Sequence, residues 1–454
     1  MQFKWISIYI TLIPNIVLAA DLIDVWRASQ NREPVFIISK FEQLAGEKRL
    51  EQSRALWLPN IYLTTMTGKI KSNSYTKGAT FDAPRMSGPY SNAIFETSIK
   101  RGNINRNTLS LIQPMYDLER LIESRQLKKS ADISNISADL AHQNLMLLVA
   151  ESYCGVLLAN ETLRLVEEQE KNIISTYKEI TKRFHLGSAA KTDLQEAAES
   201  LDSIKIKLIS AKNDVQIKKL ALKDLLGTSE DLNKLKENLS PNSFDFSATL
   251  EQYIIKMMSK NLQLRIIIAM QEIAKQEVVK YSAMSSVKFN AIAQISKDLS
   301  KGKDNVSRTT KDYLLGIQLS APIFTGGYRS AKEGETLQLL EKSKVEYDKA
   351  ALEIEHSLRA TWFALSSAGK RIKALQNNLQ TSKARLLSTI KGHAVGSRNT
   401  LEVLMAQSNA IEVESALFTE KIQFLLNRLY ISSMIGELTE KELLVINNYL
   451  VAAL

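Results

Sequence analysis

The chain has 454 residues, among them only 17 Gly and 8 Pro, so few positions interrupt regular structure. Hydrophobic residues make up 44% and charged residues 24%, as in an ordinary folded protein. The net charge of +10 is spread without a block of like charge or an aromatic-studded basic patch, which argues against nucleic-acid binding. No apolar run beyond the N-terminus reaches the length of a spanning helix, so we do not expect a helical inner-membrane protein.

The N-terminal segment has the order of an export signal. Lys4 supplies a positive charge, residues 5–17 are mostly apolar, and small residues precede Asp21. We expect a signal peptide over residues 1–20, cleaved after Ala19 or Ala20. No Cys follows the apolar stretch, so we expect no lipid anchor of that kind, and the single Cys of the chain cannot form an internal disulfide.

An internal repeat is visible in the sequence. Two matching triplets mark it: Leu186, Gly187 and Ser188, and Val395, Gly396 and Ser397. Residues 111–117 match residues 319–325 at nearly the same offset. We therefore predict a first structural repeat over 21–240, a second over 241–436, and a C-terminal segment over 437–454.

Alternating residues predict two strands in each repeat. The clearest set is apolar at every second position: Tyr313, Leu315, Ile317 and Leu319. Residues 61–63 and 109–111 are weaker examples, and we interpret the polar stretches around 69–105 and 296–312 as exposed loops. Such alternation suits a wall between lipid and water, although soluble sandwiches alternate too. Four strands cannot close a barrel, so in a membrane several chains would have to combine their strands.

Very long helices are predicted after the second strand of each repeat, over about 118–184 and 330–391. Their apolar residues recur every three or four positions, as in coiled coils. Returning helices over about 190–226 and 401–435 supply partners for these apolar stripes. Each repeat is therefore predicted to contain a helical hairpin that turns at its glycine.

Together these features resemble the TolC family of outer-membrane channel proteins, over essentially the whole mature chain. The motifs that carry the resemblance are LPNIYL (58–63), LSAPIFTGGYRSA (319–331), RFHLGSAAKTDLQEA (183–197), HAVGSRNTLEVLMA (393–406) and IGELTEKELLVINNYL (435–450). The resemblance implies a mixed but mostly α-helical fold and a homotrimer. Four strands from each chain would form a twelve-stranded outer-membrane β-barrel, continued by a twelve-helix periplasmic α-barrel.

The resemblance also implies roles for the turns. The two glycine triplets would form the periplasmic tip, where an adaptor protein docks and where the tunnel is closed at rest. A tight turn between helices favours glycine because it needs positive φ. The turn from strand to helix would be formed by Pro322, Gly326 and Gly327.

A periplasmic gate is the third implication of the resemblance. Arg398 would hold the tip shut through Thr192 and Asp193 of a neighbouring hairpin, with His393 in the place of a family tyrosine. Glu402 would project into the pore in a threefold acidic ring, which favours cations. Met405 stands where the family has a second acidic ring, which should weaken cation selectivity, and His393 should make the gate sensitive to pH.

The sequence shows no catalytic constellation. Its four His are scattered, no glycine-rich phosphate loop follows a strand, and the carboxylates are distributed along helix faces. We expect no catalytic residue, no metal site and no cofactor, and hence not an enzyme.

The resemblance implies a passive exit duct in the outer membrane of a Gram-negative bacterium, with a large periplasmic part. Its partners would be a periplasmic adaptor (membrane fusion) protein, an inner-membrane ABC or other export transporter, and outer-membrane lipid. We favour type I protein secretion, because the TolC-like pattern is close and no lipidation Cys is present. The alternatives are a multidrug efflux pump component, an exported structural coiled coil and a periplasmic adaptor, and the cargo stays open.

Overall fold

A computed structural model describes residues 21–81, 87–227, 249–282, 287–302 and 307–449. The predicted signal peptide and its cleavage site lie outside these residues. The described residues form helices and strands in this order: α1 (Leu22–Ser29), α2 (Pro34–Ala55), β1 (Asn60–Phe81), β2 (Tyr90–Asp117), α3 (Leu118–His185), α4 (Lys191–Leu226), α5 (Leu250–Lys260), α6 (Leu262–Tyr281), β3 (Lys288–Gly302), β4 (Ser307–Ser320), α7 (Tyr328–Ala394), α8 (Thr400–Met434) and α9 (Glu440–Asn447).

The two longest helices begin and end within three residues of the predicted bounds. α3 has 68 residues and α7 has 67, and neither contains proline. The returning helices α4 and α8 have 36 and 35 residues. The same order of helix, two strands, very long helix and long helix therefore occurs twice, from α2 to α4 and from α6 to α8. That this order arose by duplication stays a prediction.

Two compact units divide the chain, and both contain segments from each half. The first consists of Met1–Leu44, Ser134–Ile268 and Glu346–Leu454, and the second of Ala45–Ile133 and Ala269–Val345. The boundaries fall inside helices, so the units differ in kind from the predicted sequence repeats. The division at 240 and 436 stays a prediction.

The core of the first unit is an apolar cluster formed by several helices. Leu22 of α1, Tyr153 of α3, and Phe424 and Leu425 of α8 are at most 1% exposed. Cys154 is also buried, and burial raises the pKa of its thiol to about 12. It is therefore an unreactive core residue.

The second unit contains a sheet in which β1, β2, β3 and β4 pair in sequence order, all antiparallel. The predicted loops were wrong in extent, since β1 continues to Phe81, β2 starts at Tyr90, and only a short connection separates β3 from β4. The polar stretches form strands because backbone hydrogen bonds to neighbouring strands hold them, whatever their side-chain pattern.

Among the described helices, α3 alone contains a stretch long and apolar enough to cross a membrane by composition. Half of that stretch is buried inside the protein, as in the core helix of a soluble domain. Length and composition therefore do not make α3 a membrane span.

Candidate functional site: sheet faces and hairpin tips

One face of the sheet carries an apolar band. The strand register places odd-numbered residues of all four strands on this face between the bulges. The band consists of Ile61, Leu63, Leu109, Leu111, Phe289, Ala291, Ala293, Ile295, Tyr313, Leu315, Ile317 and Leu319. Leu63 is 73% exposed and Leu315 is 87% exposed. An apolar area of this kind marks a surface that faces lipid or another chain.

The opposite face is more polar and more enclosed, although it also carries apolar residues such as Ile292 and Leu314. Ser296 and Ser300 of β3 are only 8% and 6% exposed, which indicates a sheet that curls toward this face. Arg106 of β2 forms a bidentate ion pair with Asp298 of β3, with Nη2 to Oδ2 at 2.6 Å. The sheet therefore separates an apolar surface from a more polar one, as in the wall of a water-filled barrel.

Both outer strands leave an edge open. β1 pairs with β2, and β4 pairs with β3, and within the described residues neither has a partner on its other side. Unpaired backbone groups are costly in lipid. If the sheet lies in a membrane, its edges require strands from other copies.

A charged network at the foot of the strands joins them to the helices. Glu119, in the first turn of α3, accepts from Lys288 Nζ of β3 at 2.7 Å and from Arg329 Nη1 of α7 at 2.9 Å. Arg329 Nη2 also donates to the carbonyl oxygens of Lys280 and Ser282 at 2.8 and 3.0 Å. Burial raises the pKa of the Glu119 carboxyl, but Lys288 and Arg329 outweigh it, so that the pKa is lowered. Sequence analysis could not detect this network, because its members lie far apart in the chain.

The predicted strand-to-helix turn lies between β4 and α7. Gly326 and Gly327 have φ of +64° and +80°, which side chains other than glycine adopt with strain. Ile323 and Phe324, which follow Pro322, are 101% and 86% exposed. Their exposure leaves a second apolar area at the end of β4.

The two hairpin tips have the same backbone geometry. Gly187 and Gly396 have φ of +71° and +80°. Ser188 N donates to the Arg183 carbonyl oxygen at 2.8 Å, and Ser397 N donates to that of Gly392 at 2.9 Å. This is the Schellman pattern, which satisfies the free carbonyls at a helix end. Leu186 and Val395, just before the glycines, are 76% and 80% exposed and leave apolar side chains at each tip.

The predicted gate residues flank the two tip glycines, with His393 before Gly396 and the others after a glycine, but the single chain pairs them differently from the predicted gate. Arg398 Nη1 lies 2.9 Å from Glu402 Oε1, one helical turn away, and within the described part of the chain Arg398 forms no ion pair with Asp193. Asp193 accepts from Ala190 N at 3.2 Å and so caps α4. His393 Nε2 lies 3.2 Å from Thr400 Oγ1. The interaction with a neighbouring hairpin stays a prediction.

Glu402 has a structural role that sequence analysis missed. Its carboxylate accepts from Asn399 N at 3.0 Å, and Asn399 Oδ1 accepts from Glu402 N at 2.8 Å, which makes a capping box at the start of α8. The backbone donor of Asn399 lowers the pKa of Glu402, and Arg398 lowers it further. Asn followed three residues later by Glu is a sequence signal that would have identified this cap.

The two hairpins pack against each other at several helical turns from these tips. Ile173 of α3, Ile204 of α4 and Leu404 of α8 form a small buried apolar cluster. The described residues contain no group of three His, Cys, Asp or Glu that could hold a metal ion. The site therefore consists of a two-faced sheet in one unit and of two polar helical tips in the other.

Comparison with known proteins identifies the family. The family model described as outer membrane efflux protein matches residues 29–228 and 260–437. Among its relatives, alkaline protease secretion protein AprF of Pseudomonas aeruginosa is 24% identical over 92% of this chain and 84% of AprF. Outer membrane protein TolC of Escherichia coli is 21% identical over 95% of this chain and 85% of TolC. The crystal structure of the outer membrane protein VceC from Vibrio cholerae has a TM-score of 0.72, at 14% identity, over 91% of this chain and 96% of VceC.

The chain belongs to the outer membrane efflux protein family, whose members are TolC-like channels. The predicted family, the mostly helical fold with an antiparallel sheet, and the location in the outer membrane of a Gram-negative bacterium with a large periplasmic part are thereby confirmed. Members of this family are outer-membrane components of efflux and secretion systems rather than enzymes.

Proposed function

We propose that this chain forms, as a homotrimer, the exit duct of a tripartite export machine. The observation that carries this proposal is the sheet with an exposed apolar face and two open edges. Two copies would close about eight strands, a barrel whose interior is filled by side chains, whereas three copies supply twelve strands and a wider lumen. A trimer therefore satisfies the edges and leaves a channel.

The cargo we propose is protein, in type I secretion. Support comes from the match with AprF, which is named for the secretion of alkaline protease and aligns over most of both chains. The second candidate is multidrug efflux, which the description of the family favours. In either case the periplasmic adaptor would dock on the tips around Gly187 and Gly396, and the inner-membrane transporter would supply the energy.

The gate we propose lies just behind these tips. Arg398 of one hairpin would exchange its bond with Glu402 for Thr192 and Asp193 of the next hairpin in the trimer. The exchange is chemically reasonable because all four groups are polar and lie within one or two turns of a tip glycine. His393 and Thr400 would steady the turn, and adaptor docking would shift the exchange toward the open state.

Complementation tests the cargo. The chain would be expressed in a strain that lacks its own TolC-type channel, together with the adaptor and ABC transporter of a protease secretion system. We expect protease in the medium and little recovery of drug resistance. Restored resistance without secreted protease would replace the type I assignment by multidrug efflux.

A separate measurement tests the duct itself. Purified protein in planar bilayers should conduct ions, and its mass in detergent should be three times that of the chain without its signal peptide. A monomeric mass, or no conductance at any adaptor concentration, would contradict the exit duct whatever its cargo.

A further inference from the structure

On the lipid-facing side of the sheet, the residues change from apolar to polar and basic beyond the apolar band. At the end of the band away from the helices, the same face continues through three further rows of paired residues, each row with one residue from each of the four strands. Four of the twelve positions are lysine: Lys69, Lys297, Lys301 and Lys311, which we call the lysine belt. The other eight are Thr65, Thr67, Asn103, Asn105, Asn107, Leu299, Ser307 and Thr309. No acidic residue occupies any of these positions.

In this part of the sheet, the lysines and the carboxylates lie on opposite faces. The nearby carboxylates, Asp298 and Asp312, are even-numbered and lie on the opposite, polar face. Asp298 is already paired there with Arg106. Each chain therefore presents four ammonium groups and no carboxylate on the outward side of these rows.

Two of the lysines stand directly opposite each other. Lys297 of β3 pairs with Lys311 of β4 in the antiparallel register, and both are exposed. Opposed residues have Cβ atoms about 5 Å apart, and like charges in this position destabilise a sheet. In the part of the chain that the structure describes, none of the belt lysines lies within ion-pair distance of a carboxylate. An external anion would relieve this repulsion.

The belt lies where a membrane would offer such an anion. The apolar band extends from Leu319 to Tyr313 on β4, roughly 20 Å along the strand, which is about 15 Å of height at the tilt of barrel strands. The three rows of the belt continue to Ser307, about 30 Å in height from Leu319, and so include the level at which an apolar zone about 25 Å tall ends. The helices begin at the lower end of the strands and belong to the periplasmic part, so the belt borders the band at its outer end. Headgroups of the outer leaflet lie at that level.

We propose that the lysine belt binds the phosphate groups of lipid headgroups in the outer leaflet. Lysine is a compact point charge suited to phosphate, and the neighbouring Asn and Thr side chains add hydrogen-bond donors. Binding of this kind would anchor the barrel at a defined depth and couple it to phosphorylated lipid. The inference goes beyond the exit-duct proposal, because it does not depend on cargo or partners.

Lipid titration of the full-length protein in detergent tests the proposal. The probes are fluorescent diphosphoryl lipid A and, as the zwitterionic comparison, a phosphatidylcholine with the same label. We expect tighter binding of the phosphorylated probe by the unmodified protein. In K297Q/K311Q its affinity should fall about fivefold for each lysine replaced, and phosphatidylcholine binding should not change.

Two control variants distinguish binding at the lysine belt from a general effect of the protein's positive charge. K207Q/K219Q removes the same charge from exposed positions of α4, and R308Q removes one cation from the opposite face of β4. Both should bind the phosphorylated probe as the unmodified protein does. Equal loss in K207Q/K219Q, or no loss in K297Q/K311Q, would overturn the proposal. Displacement of the probe by inorganic phosphate at equal concentration would also overturn it, in favour of a site for free phosphate.

Discussion

At the scale of single residues, Glu402 combines two functions that usually compete. It caps α8 through Asn399, and it binds Arg398, the residue to which the family resemblance assigns the gate. Both interactions need the ionised carboxylate. The two contacts favour the charged form of Glu402, which the proposed acidic ring would need.

The first prediction concerns ion selectivity. Glu402→Ala should lower the cation preference of the open channel severalfold, because three carboxylates at a constriction create a negative potential. Reversal potentials in bilayers under a salt gradient measure the effect.

Glu199→Ala, at an exposed position of α4, removes the same charge and is the matched control. Unchanged selectivity in Glu402→Ala would place Glu402 outside the pore.

The second prediction concerns Arg329 and acid stability. Arg329→Ala should lower the free energy of unfolding by about 2 kcal/mol at neutral pH, because Glu119 and two carbonyl oxygens lose a charged donor. The folded pKa of Glu119 is depressed, so this contribution is complete above the ordinary carboxyl pKa of 4.5 and disappears as pH falls through the folded value. The difference between Arg329→Ala and the unmodified protein should therefore shrink in acid.

Thermal unfolding of the trimer in detergent, followed from pH 7 to pH 3, provides the measurement. Lys332→Ala removes a cation that forms an ion pair with Glu335, three residues further along α7, and it should destabilise the protein much less than Arg329→Ala does. Equal losses for both variants would contradict a special role for the Glu119 network.

At the scale of elements, the turns decide where helices reverse. Gly187 and Gly396 have positive φ and open space around them, since an added Cβ would meet no atom within 4 Å. The requirement for glycine is thus conformational rather than steric. Gly392 differs, because a Cβ there would meet Arg398 Cγ at 2.8 Å.

The third prediction follows from this distinction. Gly396→Ala should destabilise the hairpin by about 1 to 2 kcal/mol, because an L-residue pays that cost in the left-handed region. Gly334→Ala, inside α7 with no neighbour within 4 Å, should be neutral or stabilising by up to about 1 kcal/mol. Hydrogen exchange of the α7 and α8 ends would locate the effect, and faster exchange in Gly334→Ala alone would contradict the prediction.

At the scale of the whole molecule, the sheet has two features that the proposed trimeric barrel would explain. Its apolar face is exposed, and its edge strands are open. A single chain with an exposed apolar face and open strand edges is prone to aggregate in water. Folding, membrane insertion and assembly are therefore expected to be coupled.

The fourth prediction tests which face meets lipid. Leu315→Arg should reduce insertion and trimer yield, since an arginine on the lipid side of a barrel costs about 2 to 4 kcal/mol near the bilayer centre. Gln318→Arg, three positions along the same strand, lies on the polar face and should have little effect. The measurement is the amount of heat-resistant trimer in outer-membrane fractions. Equal yields for Leu315→Arg and Gln318→Arg would contradict the assignment of the faces.

Local patterns in the sequence were sufficient for most of the elements. The ends of α3 and α7, the alternation in β4 and the turns at Gly187 and Gly396 follow from periodicity and from conformational preference, which depend on neighbours in the chain. The polar halves of the strands could not be predicted in this way, because pairing between strands and not their own side chains holds them.

The sequence alone was therefore sufficient to predict the four long helices, the presence of four strands and the glycine turns, and its motifs indicated the family. The strand register, the Glu119 network and the partner of Arg398 in a single chain became known from the three-dimensional structure. These contacts join residues that are distant along the chain, or select one of several polar partners within reach. The energy of each depends on which groups approach in space, and local preference carries no information about that choice.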